Sequence, residues 1–371
     1  MKLFRCFRRK RESPLAPVLK ELIRREGPIG LERYMEMVLL HPEYGYYRQG
    51  DPIGSERDFS TAPEVSQMFG EILGVWCLEM WKKMGSPDAF VLLELGPGHG
   101  TLLSDLLGML EQVPEFAKAV RLRLIESNKT LRDVQREKLA RFNPVHIDDL
   151  SQLGALPALV ISNELFDNIP TRQFVKRVGG WVERMVGLAG DELALVDGPT
   201  IYALPPDTMA ADRLAGVDTG WVHEFSDQSR KIVAALAEHV AKHGGAGVIV
   251  DYGYIDPHGK GTFDAWSLSK PSEILASPGN VDVTVDVDFS SLARVAERAG
   301  AYVPEPVEQG KFLSRYGLAA RADALKKKAS RKQRRRVDAD FRTLLSPLIM
   351  GARWKALVFM QKGTRAPGGG D

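Results

Sequence analysis

Four stretches of this chain carry side chains whose types and spacing could do chemistry. The first runs Val91-Leu-Leu-Glu94-Leu95-Gly96-Pro97-Gly98-His99-Gly100-Thr101, an apolar run that ends in three glycines at alternate positions and leads into the helix-competent segment Leu102 to Leu110. That pattern spells a strand, a tight turn and a helix N-terminus. Glycine there lets backbone approach a ligand that any Cβ would hold off, and the first N–H groups of the helix are free donors. The second stretch is Arg121-Leu-Arg-Leu-Ile-Glu126, a strand ending in an acid. The third is the short strand Pro144 to Ile147, followed by Asp148-Asp149. The fourth is the strand Ala158 to Ser162 with Asn163-Glu164-Leu165-Phe166-Asp167-Asn168-Ile169-Pro170 behind it.

Two nucleotide chemistries use a glycine turn of this kind. A dinucleotide fingerprint wants G-x-G-x-x-G, but the position three after Gly98 is Thr101, and Gly100 comes one residue early. The acid expected about 20 residues on for a ribose hydroxyl is also late, at Glu126. A longer first helix, as in class I S-adenosylmethionine (SAM) methyltransferases, fits that spacing better. In that arrangement Gly96, Gly98 and Gly100 lie against the methionine part and the ribose, Glu126 accepts from the ribose hydroxyls, and Asp148 meets the adenine amino group. Pro97, Thr101 and Asp149 belong to the same expected cofactor-binding set. The competing explanation is a strand-to-helix turn that merely needs glycine.

Asn163, Glu164 and Asp167 are the candidate catalytic residues. Two carboxylates and an amide at a strand terminus, where a methyl donor should sit, are what a polar nucleophile needs for orientation. Glycosidase-like acid/base work by the same pair is the rival chemistry, without the aromatic pattern that sugar binding would bring. A capped turn into a helix is the structural alternative. No C-x-x-C or clustered histidine suggests a metal, and none is expected.

The elements that must position these residues alternate along the chain. Strands and helices follow one another from the glycine turn to Ser162 and resume with a helix from Ser226 to His243 and the strand Gly247 to Asp251. Such alternation argues for a mostly parallel sheet with helices on both faces and the ligand at the carboxyl ends of the strands. Gln173 to Val186 spells a β-hairpin turning on Gly179-Gly180, inside an insertion of about 171–225. Later come a short strand Val283 to Val287, a helix Phe289 to Arg298 and a closing strand Trp354 to Met360. Residues 1–86 form an N-terminal helical cap with covering loops, and 87–371 the core. In the cap, Leu15 to Leu40 gives two helices divided at Pro28 and Gly30, His41 to Tyr47 spends three tyrosines on a loop, and Val65 to Lys83 gives a further helix.

Composition bounds the rest. With 371 residues the chain holds roughly two domains or one large α/β domain with insertions. A net charge of +2 supplies no global field for nucleic acid. Eight basic residues between Lys326 and Arg336, in a helical segment of about 311–346, lack interleaved aromatics for base stacking and suit a solvated face. No apolar run reaches the length of about 18 residues needed to span a bilayer. Cys6 and Cys77 cannot build a disulfide framework, which points to a reducing compartment. The six basic residues among the first eleven suit a frayed terminus, or else a targeting remnant.

Several longer segments together resemble the MidA family of class I SAM-dependent methyltransferases: Gly27 to Glu36, His41 to Tyr47, Asp58 to Glu71, the turn from Glu94 to Thr101, Asn163 to Pro170, Val250 to Tyr254, and Val281 to Phe289. The resemblance runs from about Leu15 to Gln361. It implies a Rossmann-like core with SAM as cofactor and methylation of a protein arginine. The family includes the mitochondrial factor that dimethylates an arginine of a complex I (NADH dehydrogenase) core subunit, so a complex I subunit or its bacterial counterpart is the implied partner. It further implies an amino-terminal segment and an insertion that close over the cofactor. Where the family pattern has an arginine and later a histidine after Thr262-Phe263, this chain has Asp264 and Ser269. Guanidinium stays charged and is a poor nucleophile, so carboxylates must fix it and bias its electron density; Glu164 and Asp167 suit that task. The competing functions are a SAM-binding assembly chaperone without catalysis and a small-molecule O-methyltransferase. A bacterial cytoplasm is the expected location, with the mitochondrial matrix as alternative, and a homodimer is compatible with the chain.

Overall fold

The computed structural model describes residues 13–49, 61–205, 216–267 and 270–363. At its centre is β1 (Phe90–Leu95), buried at every position. The other strands of the same sheet are β2 (Val120–Ile125), β3 (Val145–His146), β4 (Ala158–Asn163), β5 (Gly245–Tyr254), β6 (Val287–Asp288), β7 (Val307–Glu308) and β8 (Trp354–Met360). Their order is β7-β8-β5-β4-β1-β2-β3, with β6 beside the end of β5. From β5 to β3 all neighbours are parallel, while β8 runs antiparallel to β5 and to β7. This is the mostly parallel, class I methyltransferase-like sheet that the alternation predicts.

Helices cover both faces, which is why the inner strands are almost continuously Val, Leu and Ile. Helices α1 (Leu15–Glu26) and α2 (Leu31–Leu40) pack away from this sheet, whereas α3 (Gln67–Lys83) and α4 (Thr101–Leu110) share one core with Leu92, Leu124 and Ile161. On the opposite face Val91, Leu93 and Val160 meet α6 (Asp227–His243) and α7 (Phe289–Arg298); α5 (Lys129–Lys138) lies between β2 and β3 in the chain. Each fully buried side chain of this type contributes roughly 1.5–3 kcal/mol. Strand β1 pairs with β2 on one side and β4 on the other, so the strand order reverses there. Ligands of open α/β sheets bind outside the strand ends at such a point.

The hairpin forms from Arg172–Arg177 and Gly180–Ala189, with Val178 and Gly179 between them. It is larger than its sequence suggests. Glu192–Ile201, Val222–Phe225 and Ile29–Gly30 join it in a separate five-stranded sheet. Leu19, Leu31, Met35 and Val38 of α1 and α2 pack against Val186 of that sheet. The two ends of the expected cap thus separate: α1 and α2 join the insertion, and α3 joins the core.

Two local expectations differ. The helix expected from Val65 is broken at Ser66, which is extended at φ −157° and whose hydroxyl accepts from the Met68 N–H at 3.3 Å; a four-residue helix, Ala62–Val65, precedes it. The basic segment is three helices, Gln309–Arg315, Leu318–Lys327 and Arg331–Leu345, divided at Gly317 (φ +90°) and at the capping box of Ser330. The basic amino terminus and Ser269 lie outside the described residues; Asp264 opens the strand Asp264–Ser267 on an exposed position. Among the described residues no helix is long and apolar enough to cross a membrane, and no group of three potential metal ligands occurs.

Candidate active site

Beyond β1 the chain turns through Gly96, Gly98 and Gly100, at φ +64°, +53° and +72°. Only glycine enters that left-handed region cheaply. The Gly96 N–H donates to the Ile125 carbonyl at 3.0 Å, and a Cβ on Gly96 would meet Leu165 Cδ1 at 3.0 Å. Glu126, one residue past β2, is buried; its Oε1 accepts from the Asn128 N–H at 2.8 Å and its Oε2 from Gln135 Nε2 at 3.2 Å. Gln135, fully buried on α5, also donates to the Gly98 carbonyl at 2.7 Å. One side-chain amide therefore ties the glycine turn to the acid. Burial raises the Glu126 carboxyl above its ordinary range despite those donors. Burial, with the Glu126 charge adding to it, pushes Glu94 up to about 8, and Glu94 Oε2 has no hydrogen-bond partner.

Beyond β4 the turn is built differently. Glu164 sits at φ +49°, one of three non-glycine residues at positive φ among the described residues. A conformation of that kind costs roughly 1–3 kcal/mol and persists only where its surroundings over-determine it. Here they do. The Glu164 N–H donates to the Val250 carbonyl at 2.9 Å. The N–H groups of Leu165, Phe166 and Asp167 all donate to Oδ2 of Asp251, a fully buried residue of β5, at 3.1, 2.8 and 3.3 Å. Glu164 Oε1 accepts from the Ala62 N–H at 3.0 Å and from Asn163 Nδ2 at 3.3 Å. The Tyr252 hydroxyl donates to Asp167 Oδ2 at 2.6 Å, while Asp167 Oδ1 has no partner. Burial is the main cause that pushes Glu164 up to about 7 and Asp167 up to about 6.

Between these two turns lies a cavity of about 310 Å³. Leu39, Leu40, Tyr47 and Thr61 contribute to its wall from the amino-terminal segment. The Tyr47 hydroxyl lies 2.9 Å from Asn168 Oδ1 and 3.2 Å from Asp282 Oδ2, and the Tyr47 carbonyl accepts from Asn128 Nδ2 at 2.8 Å. That tyrosine bridges the Glu126 side and the Asp167 side. Four carboxylates line the cavity, Glu126, Glu164, Asp167 and Asp282, and among the described residues no lysine, arginine or histidine does. The cavity is suited to cationic occupants: a buried carboxylate needs a counter-charge more than a solvated one does.

The expected site residues fall into two groups. Gly96, Gly98, Glu126, Glu164 and Asp167 line the main cavity. Pro97, Thr101 and Asn163 line a smaller recess that shares Gly96, Gly98 and Glu164 with it, and the Thr101 hydroxyl there donates to Glu64 Oε1 at 2.7 Å. Gly100 starts α4. Asp148 and Asp149 are not brought to the cavity. Asp148 is exposed and paired with Arg132 at 3.0 Å, and Asp149 accepts from the Ser151 N–H at 2.8 Å to cap a helical turn. Five residues outside the expected set belong with the site: Tyr47, Gln135, Asn168, Tyr252 and Asp282. The three-tyrosine loop was a signal for Tyr47, and Asn168 stood within the acid-rich run. Gln135, in a helix of mostly charged residues, carried none.

Comparison with known proteins agrees with this geometry. The family model of S-adenosyl-L-methionine-dependent methyltransferases matches residues 72–307. The chain is 32% identical over 370 residues to the Drosophila melanogaster protein arginine methyltransferase NDUFAF7 homolog, mitochondrial, which covers 92% of this chain and 84% of that protein. To the human protein arginine methyltransferase NDUFAF7, mitochondrial, it is 31% identical over 372 residues, 92% of this chain and 83% of the relative. A crystal structure from Burkholderia thailandensis bound to S-adenosyl-homocysteine superposes with a TM-score of 0.82 at 27% identity, over 95% of this chain and 92% of that one.

Proposed function

This chain belongs to the MidA family of S-adenosyl-L-methionine-dependent methyltransferases, and from that premise we propose that it methylates an arginine of a protein, on a subunit of respiratory complex I or its bacterial counterpart. The residues present fit the cofactor. The glycine turn at positive φ exposes backbone, Glu94 Oε2 lacks a partner, and the Glu126 carboxylate, which takes Asn128 on one oxygen and Gln135 on the other, lines the cavity beside that turn. Gly96, Gly98 and Glu126 would hold it. When bound, it supplies a methyl group already activated on a sulfonium.

The observation that carries the arginine assignment is the acid-lined cavity, to which no lysine, arginine or histidine among the described residues contributes. A guanidinium entering it meets carboxylates that can fix its orientation and draw its charge away from one nitrogen. Glu164, locked by Ala62 and Asn163, and Asp167, locked by Tyr252, present those carboxylates on a rigid turn. Orientation of this kind can supply up to about 7–11 kcal/mol of the barrier. The curated relatives named as protein arginine methyltransferases support the acceptor, and their designation as mitochondrial favours the matrix over the bacterial cytoplasm as the compartment.

The test is transfer of labelled methyl into purified complex I subunits, with the modified residue located by mass spectrometry. Label on an arginine is the expected result. Binding of a subunit without label would mean an assembly chaperone, and transfer to a small-molecule hydroxyl would mean an O-methyltransferase; either outcome contradicts the assignment.

A further inference from the structure

The two carboxylates beyond β4 are held in different ways, and the difference assigns them different tasks. Glu164 Oε1 receives two N–H donors, from Ala62 and Asn163, which fix the carboxyl in one orientation and leave that oxygen little room to take a proton. Asp167 has one oxygen occupied and one open: Oδ2 takes the Tyr252 hydroxyl at 2.6 Å, and Oδ1, buried on the cavity wall, has no partner. The Tyr252 ring is itself fixed, edge-on to Trp354 at 5.4 Å between ring centres and with the Arg353 guanidinium 5.4 Å above it.

Resting on the arginine assignment above, we propose that Glu164 orients the acceptor guanidinium while Oδ1 of Asp167 takes the proton it sheds, with Tyr252 the positioning residue that fixes Asp167. The balance requires such a group. Methylguanidinium keeps its positive charge, so each transfer must release one proton. The acceptor nitrogen gains the methyl carbon, the sulfur keeps the electron pair of the bond that breaks, and the N–H proton passes to Asp167 Oδ1. The carboxylates around Asp167 favour its uptake of a proton, Glu164 on the same turn, Asp251 on β5, Asp282 on the cavity wall beside the Tyr47 hydroxyl, and Asp286, while the Tyr252 hydroxyl, donating to Oδ2, opposes it and keeps the resting group charged. Arg353, on the far side of Tyr252, is the cation next in line.

Two variants test this in the full-length protein with its protein substrate. In Tyr252→Phe, Asp167 loses the donor that favours its charged form. Turnover should fall about tenfold, KM for the substrate should change less than about twofold, and the acidic limb of the kcat profile should move up by roughly one pH unit. Asp167→Asn should lower turnover about 10²-fold or more, with binding of the substrate and of S-adenosylhomocysteine within a few-fold of the parent. A limb that stays in place in Tyr252→Phe, or loss of substrate binding in Asp167→Asn, overturns the division of tasks. Should the parent put no label on arginine at all, the acceptor assignment fails; arginine labelling with an unmoved limb sinks only the role given to Asp167 and Tyr252.

Discussion

The turns beyond β1 and β4 lie on neighbouring strands and face the same cavity, yet they are made in opposite ways. Beyond β1 the positive-φ positions are all glycine, and the acid beside them, Glu126, is held by neutral amides from Asn128 and Gln135. Beyond β4 the positive-φ position is Glu164, and the turn is held by Asp251, a carboxylate from a different strand. The first turn gives up side chains so that backbone can meet a ligand. The second accepts backbone strain so that side chains can meet one. Cofactor binding should therefore depend on the first turn and turnover on the second.

The largest expected effect breaks the first turn. Gly98→Val places a β-branched residue at φ +53°, where the backbone must move, and S-adenosylhomocysteine affinity by calorimetry should fall more than about 100-fold. Unchanged affinity would mean that the bare backbone is incidental. Asp251→Ala leaves three N–H groups, two of them buried, without their acceptor and should destabilise the fold by about 3 kcal/mol, read by denaturant unfolding. Turnover should fall further than cofactor affinity does. Gln135→Leu sharpens the comparison from the other side. It removes the amide that joins Gly98 to Glu126, and should weaken S-adenosylhomocysteine binding about tenfold while leaving kcat at saturation within a few-fold.

The smallest effect is on stability against pH. Glu164 at about 7 and Asp167 at about 6 lie above their ordinary values, so the folded protein holds protons that the unfolded chain has already released. The stability they confer is complete below about pH 4 and is lost as pH rises through 6 and 7. The melting temperature of the cofactor-free protein should drop by a few degrees between pH 5.5 and 8, and Glu164→Gln should flatten part of that slope. A melting temperature that climbs over this range would show these carboxylates to be stabilised as anions instead.

What the sequence made legible follows the same division. The glycine turn announces itself because one strand, one turn and one helix start are contiguous, and each has its own residue signature. Phe289–Arg298 and Trp354–Met360 were equally plain, since apolar periodicity and a closing apolar run are local signals. The carboxylates of the run 163–170 could be listed, but not the network that holds them, because Tyr47, Asp251, Tyr252 and Asp282 come from distant parts of the chain. Asp148 shows the limit of a local rule. An acid after a strand looks like a ligand contact, but β3 is two residues long, and Asp148 is exposed and paired with Arg132 of α5, the helix before that strand. Ser66 shows another: its neighbours have helical spacing throughout, yet its hydroxyl caps the next turn and splits the helix.

The most direct test of the division between the turns pairs two substitutions, Glu126→Gln and Glu164→Gln, each measured for S-adenosylhomocysteine affinity and for labelled-methyl transfer to the protein substrate. Glu126→Gln should weaken affinity about tenfold or more and recover much of its turnover at saturating cofactor, whereas Glu164→Gln should keep affinity within a few-fold and lose turnover about 100-fold. Loss of affinity in Glu164→Gln equal to its loss of turnover, or unchanged affinity in Glu126→Gln, would contradict the account.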